Sequence, residues 1–594
     1  MMILAGLAAA PALLVAWDGS FDLQYHLLLA DHYRASWFAA WEPRWYGGFF
    51  VYCYPPLAHQ LLALLGAFLG PDGAARVLGA LVLGGLVFAL ARLASIVAGD
   101  NAPVGATIIA LGWTAPWLFL LVWGQLPAVV SLLLALLACG SLVRYLDGAN
   151  ARDLVLWALL AGSSAAAHHQ TGFFLVPLLL LVGVGTSAVK SRLPSVLLRR
   201  ATGAAALAAL CCLVVYVPHL WWLITQDLPQ APIPHPSRSN YFADPFLFSI
   251  FFVGVWGLAA VIVPFALVHG ARNRRMWAIV AGAVLCGILS FGTLTPLPRV
   301  LFPGWWEWLT YERFGLWSSA LTVVLGGSWL RNIGRELSLV MLLCAGATGI
   351  GLLFGVVLPA RPHMAQDAVV ENARQFLAKG SNGDWRYLTL GFGENRLSRL
   401  SRLTSATTVD GFYFMARRDP VLRASGIGTI DGALQYRRGI EVVEHYLRVG
   451  PAQGVRWVLS MDPRWEARLV DRGWSFLECA GTGPRAASTA ECVQVWEAPR
   501  GSSVPTAAEV QEDAPAVPAG LALVWGVMPL AELVTAGAIA AGPGVQWVRV
   551  RFARRRSTCQ NDLPPIAASR GKDIRPLERG ANSTGTSAAR IPER

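Results

Sequence analysis

Apolar runs recur along this sequence at the length a helix needs to cross a bilayer, and basic residues fall in alternate gaps between them. Because a helix rises 1.5 Å per residue, about 17 to 25 apolar residues cover the hydrocarbon core. Lipid offers the backbone no hydrogen bonds, so spanning segments must be helices or a closed barrel, and these run lengths specify helices. The chain is 55% hydrophobic and only 14% charged, with a mean hydropathy of +0.49, far from the balance of a soluble protein.

Twelve spans are expected, near residues 1–17, 74–92, 104–122, 126–143, 154–168, 171–189, 201–223, 246–269, 277–292, 315–330, 337–358 and 520–542. The first run has no basic segment ahead of it and reads as an uncleaved span rather than a secretory signal. With the N-terminus inside, the cytoplasmic turns hold Arg144 and Arg152, then Lys190, Arg192, Arg199 and Arg200, then Arg272, Arg274 and Arg275, then Arg331 and Arg335. Residues 56–70 contain His59 and Gln60 and read as an interfacial or re-entrant helix, because one more span would place every later basic turn outside. Glu532 and Pro529 weaken the last span, since a charge at mid-bilayer costs at least about 2.5 kcal/mol.

The fold class expected is therefore a polytopic α-helical membrane protein with a C-terminal extracytoplasmic α/β domain. Residues 1–359 form the transmembrane domain, with a first extracytoplasmic loop at 18–73. Residues 360–500 form the α/β domain, 501–519 a linker, 520–542 the terminal span and 543–594 a basic, disordered cytoplasmic tail. In the domain, strand-like runs at 385–392, 407–414, 455–461, 474–479 and 493–497 alternate with helical patterns at 365–378 and 440–449. The formal charge of +12 is no nucleic-acid signal: from Arg549 onward there are 11 Lys and Arg against 4 Asp and Glu, which suits a membrane edge with anionic lipid. The nine cysteines lack C-x-x-C spacing, and no zinc site is readable.

The first loop carries most of the chemistry. It reads Asp18, Asp22, His26, Asp31 and His32, then Trp41-Glu42-Pro43-Arg44-Trp45-Tyr46-Gly47-Gly48, then Tyr54-Pro55-Pro56-Leu57. On a helix, Asp22 and His26 share a face at i, i+4, where the carboxylate either acts as a base or caps the helix N-terminus. His168 and His169 fall at the outer end of the fifth span, to orient or titrate with a bound polar group or simply to bond backbone at a helix break. Arg299 and Arg313 stand outside, against the positive-inside tendency, and would hold a phosphate or pair with Glu307 or Glu312. Arg44 and Arg238 are weaker versions of that argument. Trp41, Trp45, Tyr46, Tyr52 and Tyr54 are either a surface on which a ligand stacks or an interfacial aromatic belt.

The acidic residue after the first span, the W-x-P-x-W-x-x-G and Y-P-P-L patterns and Tyr311-Glu312-Arg313-Phe314 together resemble the GT-C superfamily of glycosyltransferases. Within it the likeness is to prokaryotic membrane proteins labelled 6-pyruvoyl-tetrahydropterin synthase-related, a label that implies no pterin chemistry. The resemblance implies a polyprenyl-phosphate-linked sugar donor and a glycan, lipid or protein acceptor. It makes Asp22 the residue that activates the acceptor or binds a divalent metal, and Asp18 or the more distant Asp31 its nearest acidic companion. Substrate binding then falls to His26, Arg44, His168, His169, Arg299, Glu312 and Arg313.

Two rivals come from other classes: a transporter or lipid flippase, marked by polar or broken helices meeting at mid-membrane, and a silent cell-envelope scaffold. Finally, Cys479 and Cys492 flank a hairpin loop between two strand-like runs. Opposed strands bring their α-carbons to about 4.5 to 5.5 Å, which with an oxidising compartment predicts a disulfide.

Overall fold

The computed structural model describes residues 6, 10, 11, 13, 19–225, 230–330, 334–362, 367–481, 492–511 and 515–561. Most of the expected first span, Asp18, Arg331 and residues 562–594 lie outside the described residues. Six helices are long and apolar enough to cross a membrane: Leu57–Ala98, Leu126–Gly148, Thr171–Ala188, Pro194–Thr225, Glu336–Val357 and Ala519–Gly542. Two bent pairs, Ala102–Leu111 with Ala115–Leu121 (42°) and Pro245–Gly254 with Leu258–Ala271 (52°), raise this to eight if each is one span.

Twelve spans were expected, so by length and apolarity the described residues account for fewer. Ala151–Ala167 and Trp277–Ser290 occupy two of the remaining positions but are only 17 and 14 residues long. The segment from residue 56 is a helical arm that breaks at Gly70, whose φ of 70° no ordinary side chain favours, and Pro71 follows the break. Glu532 avoids the cost of facing lipid. It is 4% exposed, and a side chain added at Gly162 would collide with its carboxylate and with Cys211, so the acid is turned into the bundle.

The first loop is built, not slack. Helix α1 (Leu23–Ala35) is followed by a short antiparallel pairing of Trp41–Glu42 with Phe49–Phe50 and a turn at Val51–Cys53. Trp45 is fully buried and stacks on Tyr25 at 5.5 Å, and Tyr52 and Tyr54 are buried as well. Trp45, Tyr52 and Tyr54 thus belong to the loop's own core, whereas Trp41 and Tyr46 are half-buried. Further on, α2 (Glu312–Trp329) is buried along nearly its whole length.

Residues 367–511 form a four-stranded sheet of β1 (Arg386–Leu390), β2 (Val455–Ser460), β3 (Ser475–Ala480) and β4 (Val493–Glu497), in the order β1-β2-β4-β3. β1 and β2 are parallel; β2–β4 and β4–β3 are antiparallel. Alternation along the strands divides the side chains between two cores. Tyr387, Trp457, Leu459 and Val495 meet Phe376 of Ala368–Ala378 and Leu400 of α3 (Glu394–Leu403), while Leu388, Val458 and Trp496 meet Val443 of Gly439–Val449. The run 407–414, expected as a strand, makes only an isolated bridge at Thr408, because Thr408 exchanges backbone bonds with Arg44 and Gly47 of the first loop.

The expected linker is pinned to the domain. Trp385 donates to the Val504 carbonyl, Arg386 to that of Val510, and the Ala507 amide to that of Asp384. The helix beginning at Ala519 continues to Asn561, so the tail is helical from 543 to 561, where disorder was expected; residues 540–594 form a separate unit.

Cys479 in β3 and Cys492 just before β4 are disulfide-bonded, with α-carbons 5.5 Å apart. Non-reducing peptide mapping should recover the two peptides linked, and replacing both by Ser should cost the domain about 3 kcal/mol in the chain-entropy account of a loop this size. Free thiols at both positions in protein prepared without reductant would overturn the pairing and the assignment of this domain to an oxidising compartment.

Candidate functional site

The site begins where the chain enters α1. The amides of Phe21 and Asp22 donate to the carbonyls of Val122 and Trp123 at 2.9 Å each, so this entry lies against the turn between two apolar helices. Gly124 permits the approach: its φ is 71°, and a Cβ there would stand 2.4 Å from the Leu23 amide nitrogen. Asp22 occupies the N-cap position of α1, yet its side chain makes no capping bond and lies near Gln125. Of the two readings of Asp22, the cap is therefore not the one the side chain adopts.

Gln125 links Asp22 to a residue far along the chain. Arg313, in the first turn of α2, donates from Nε to Gln125 Oε1 at 3.3 Å and from Nη1 to Gln170 Oε1 at 2.6 Å. Gln170 is fixed in turn by Thr310, whose hydroxyl donates to the same oxygen and whose carbonyl accepts from Gln170 Nε2. The guanidinium thus contacts two neutral amides and no carboxylate among the described residues, which leaves its charge uncompensated by a direct ion pair.

Three acids and a group of imidazoles complete the surroundings. Asp22 keeps partial access to solvent, but protein surrounds it. Burial and then the Glu394 carboxylate push its carboxyl up to about 8; Arg313 and Gln125 act the other way, and Glu312 adds to the rise. Glu312 is 3% exposed, and neither of its carboxylate oxygens has a hydrogen-bond partner. His26 sits one turn beyond Asp22 and bonds His59 through its ring nitrogen at 3.0 Å. Burial, then His59 and Arg313, hold the His26 imidazole well below its ordinary range, so it is neutral. Tyr54 packs against His26, His59, His168 and His169, with ring centroids 5.3 to 6.2 Å apart. His168 Nδ1 is bonded to the Thr171 hydroxyl, whereas His168 Nε2 and His169 Nδ1 have no partner.

Asp22, His26, His168, His169, Glu312 and Arg313 are therefore brought together. Arg44 is not: Glu42 accepts two of its bonds, at 2.6 and 2.8 Å, and the Leu28 carbonyl a third. Despite burial, hydrogen bonds from Arg44 and His32 hold the Glu42 carboxyl at about 2, which makes this a structural ion pair. Arg299 is exposed and lies over the Trp306 ring at 4.7 Å. Arg238 instead reaches the neighbourhood of Glu312, anchored to the carbonyls of Leu309 and Ile233. Asp31 is held by Arg34 and Arg402, and among the described residues the acid that acts most on Asp22 is Glu394.

Among the described residues no three His, Cys, Asp or Glu side chains are arranged to hold a metal ion.

No family model matches the chain, and no curated protein matches it. Solved structures do. The arabinofuranosyltransferase AftD from Mycobacteria matches with a TM-score of 0.51 and 15% identity over 84% of this chain, which spans only 40% of AftD. The Archaeoglobus fulgidus oligosaccharyltransferase matches with a TM-score of 0.50 and 12% identity, covering 79% of this chain and 70% of its own. ArnT from Cupriavidus metallidurans, solved with undecaprenyl phosphate bound, matches with a TM-score of 0.50 and 12% identity, covering 85% of this chain and 99% of ArnT. At these identities the likeness speaks for architecture alone, and it agrees with the first-loop motif: this chain has the GT-C fold of helical membrane proteins.

Proposed function

We propose that this chain is a membrane glycosyltransferase that moves a sugar from a polyprenyl-phosphate-linked donor to an acceptor on the extracytoplasmic face. The observation that carries this is the meeting of Asp22 with Arg313 around Gln125: a carboxylate able to take a proton lies beside a guanidinium with no anionic partner in direct contact. The undecaprenyl phosphate bound to ArnT supports a donor of this kind. In the reaction, Asp22 removes the proton from an acceptor hydroxyl as its oxygen forms a bond to the anomeric carbon. The bond from that carbon to the lipid phosphate breaks with inversion, and its electron pair leaves with the phosphate, held by Arg313. The neutral imidazoles of His26 and its neighbours line the same space and orient the sugar.

In this reading the twelve-span orientation stands, with the N-terminus and tail cytoplasmic and residues 360–500 outside, where they cover the acceptor side. The narrower likeness to the proteins labelled 6-pyruvoyl-tetrahydropterin synthase-related rests on the first-loop motif. Deleting the gene should cause one lipid-linked sugar to accumulate, visible in a lipid extract by mass spectrometry. An unchanged lipid-linked sugar pool together with an unchanged envelope glycan would overturn the proposal.

A further inference from the structure

Helix α3, from the domain after residue 360, lies along α1 of the first loop. Asn395 donates to the Ser20 carbonyl, Arg402 to Gln24 Oε1 at 2.6 Å and to Asp31 at 3.0 Å, and Trp45 to the Ser401 hydroxyl at 2.8 Å. The turn before α3 is fixed as well, because the Asp431 carboxylate accepts from the amides of Phe392 and Gly393 at 2.9 and 2.6 Å. This framework sets Glu394, the first residue of α3, near Asp22, and among the described residues it is the charged neighbour that acts most on Asp22. Glu394 is half-buried, and among the described residues its own carboxylate makes no hydrogen bond or ion pair. The charged groups facing it are Asp431 and Asp410 from within the domain, and Asp22.

A second observation points the same way. Glu312 reaches the same place from α2 with both oxygens unpartnered at 3% exposure, and burying a carboxylate without bonds costs several kcal/mol. Such groups persist where something else satisfies them. The charged neighbours of Asp22 are Glu394, then Arg313, which is held by Gln125 and Gln170, and then Glu312, which Arg238 and His235 also face.

We propose that Glu394 and Asp22 together form the acceptor site, and that the acceptor is an uncharged carbohydrate with two neighbouring hydroxyls, one donating to Asp22 and the other to Glu394. This rests on the glycosyl-transfer reading above and narrows it. The hydroxyl on Asp22 loses its proton to that carboxylate and becomes the attacking oxygen. The hydroxyl on Glu394 keeps its proton and fixes the orientation of the ring. A phosphate or carboxylate of the acceptor placed between Asp22 and Glu394 would meet both acids and be repelled.

The test is modification of Asp22 by dicyclohexylcarbodiimide, which attacks the protonated carboxyl, in the full-length chain in membranes, read by peptide mass spectrometry across pH. In Glu394→Gln the pH midpoint of labelling should fall by about one unit, since a neighbouring negative charge has been removed. An octyl disaccharide should slow labelling of Asp22 in the wild type about three- to tenfold, the worth of one or two hydrogen bonds. Its phosphorylated counterpart should not, and Glu394→Ala should abolish the protection. An unmoved midpoint, or equal protection by the phosphorylated sugar, overturns the inference. Glycan formation separates the two readings. If Asp22→Asn abolishes it and Glu394→Gln leaves it intact, this inference alone fails; if Asp22→Asn supports it fully, Asp22 is not the base, and the glycosyl-transfer reading argued from it fails as well.

Discussion

An Asp22→Asn chain should fold and insert normally yet transfer sugar about 10²- to 10⁴-fold more slowly, the range over which a positioned general base contributes. Asn keeps the shape of the side chain, so the loss isolates the proton acceptor from the scaffold. The pH dependence gives the same claim an independent reading. Only the ionised carboxylate is a base, and burial with the Glu394 charge pushes this carboxyl up to about 8. Its folded-state value therefore lies above the ordinary one, so wild-type kcat/KM should climb as pH rises through about 8 and level off beyond it. The residual activity of the Asn chain should lack that limb. Complementation of a deletion strain, with in vitro rates across pH on the accumulated lipid-linked sugar, checks both. A variant with wild-type rates would leave Asp22 a structural residue.

Arg313→Gln should weaken use of the donor without disturbing the helix, because α2 is buried by its apolar residues and the Arg313 contacts are to amides that a glutamine can partly replace. Each hydrogen bond to a charged group lost with the guanidinium is worth about 1.5 to 3 kcal/mol, so kcat/KM for the donor should fall roughly 10- to 10²-fold per bond. Arg313→Lys should recover part of this, since an ammonium keeps the charge but not the planar fork that grips phosphate oxygens in pairs. The discriminating measurement is donor concentration dependence: a loss independent of donor would place Arg313 outside the phosphate site.

The positions of the apolar helices and of β1 to β4 were legible because each is announced locally, by run length in one case and by β-branched and aromatic residues between turns in the other. Asp22 and Arg313 were legible for a different reason: each is a polar residue at the edge of an apolar run. What could not be read were residues whose meaning depends on a distant partner. Glu394 looks like an ordinary acid in the first turn of an amphipathic helix, and nothing local says that its helix lies on the first loop. Arg44 looked free because its partner, Glu42, is only two residues away and reads as a neighbour rather than a sink for its charge. Residues 407–414 have strand composition, but their backbone is claimed by the first loop before a sheet can use it. Gln125 carried no signal beyond being an amide between two apolar runs.

The contact of α3 with α1 also has a consequence in time. Asp22 and Glu394 are more than 370 residues apart, and ribosomes add about 5 to 20 residues per second, so the first loop emerges roughly 20 to 75 s before the helix that lies on it. During that interval the spans can insert one after another, while Gln24, Asp31 and Trp45 have no partner from α3. Insertion is thus spread along synthesis, but completion of the site is a single late event, and a chain that stops before residue 394 is a membrane protein that never acquires a finished acceptor side.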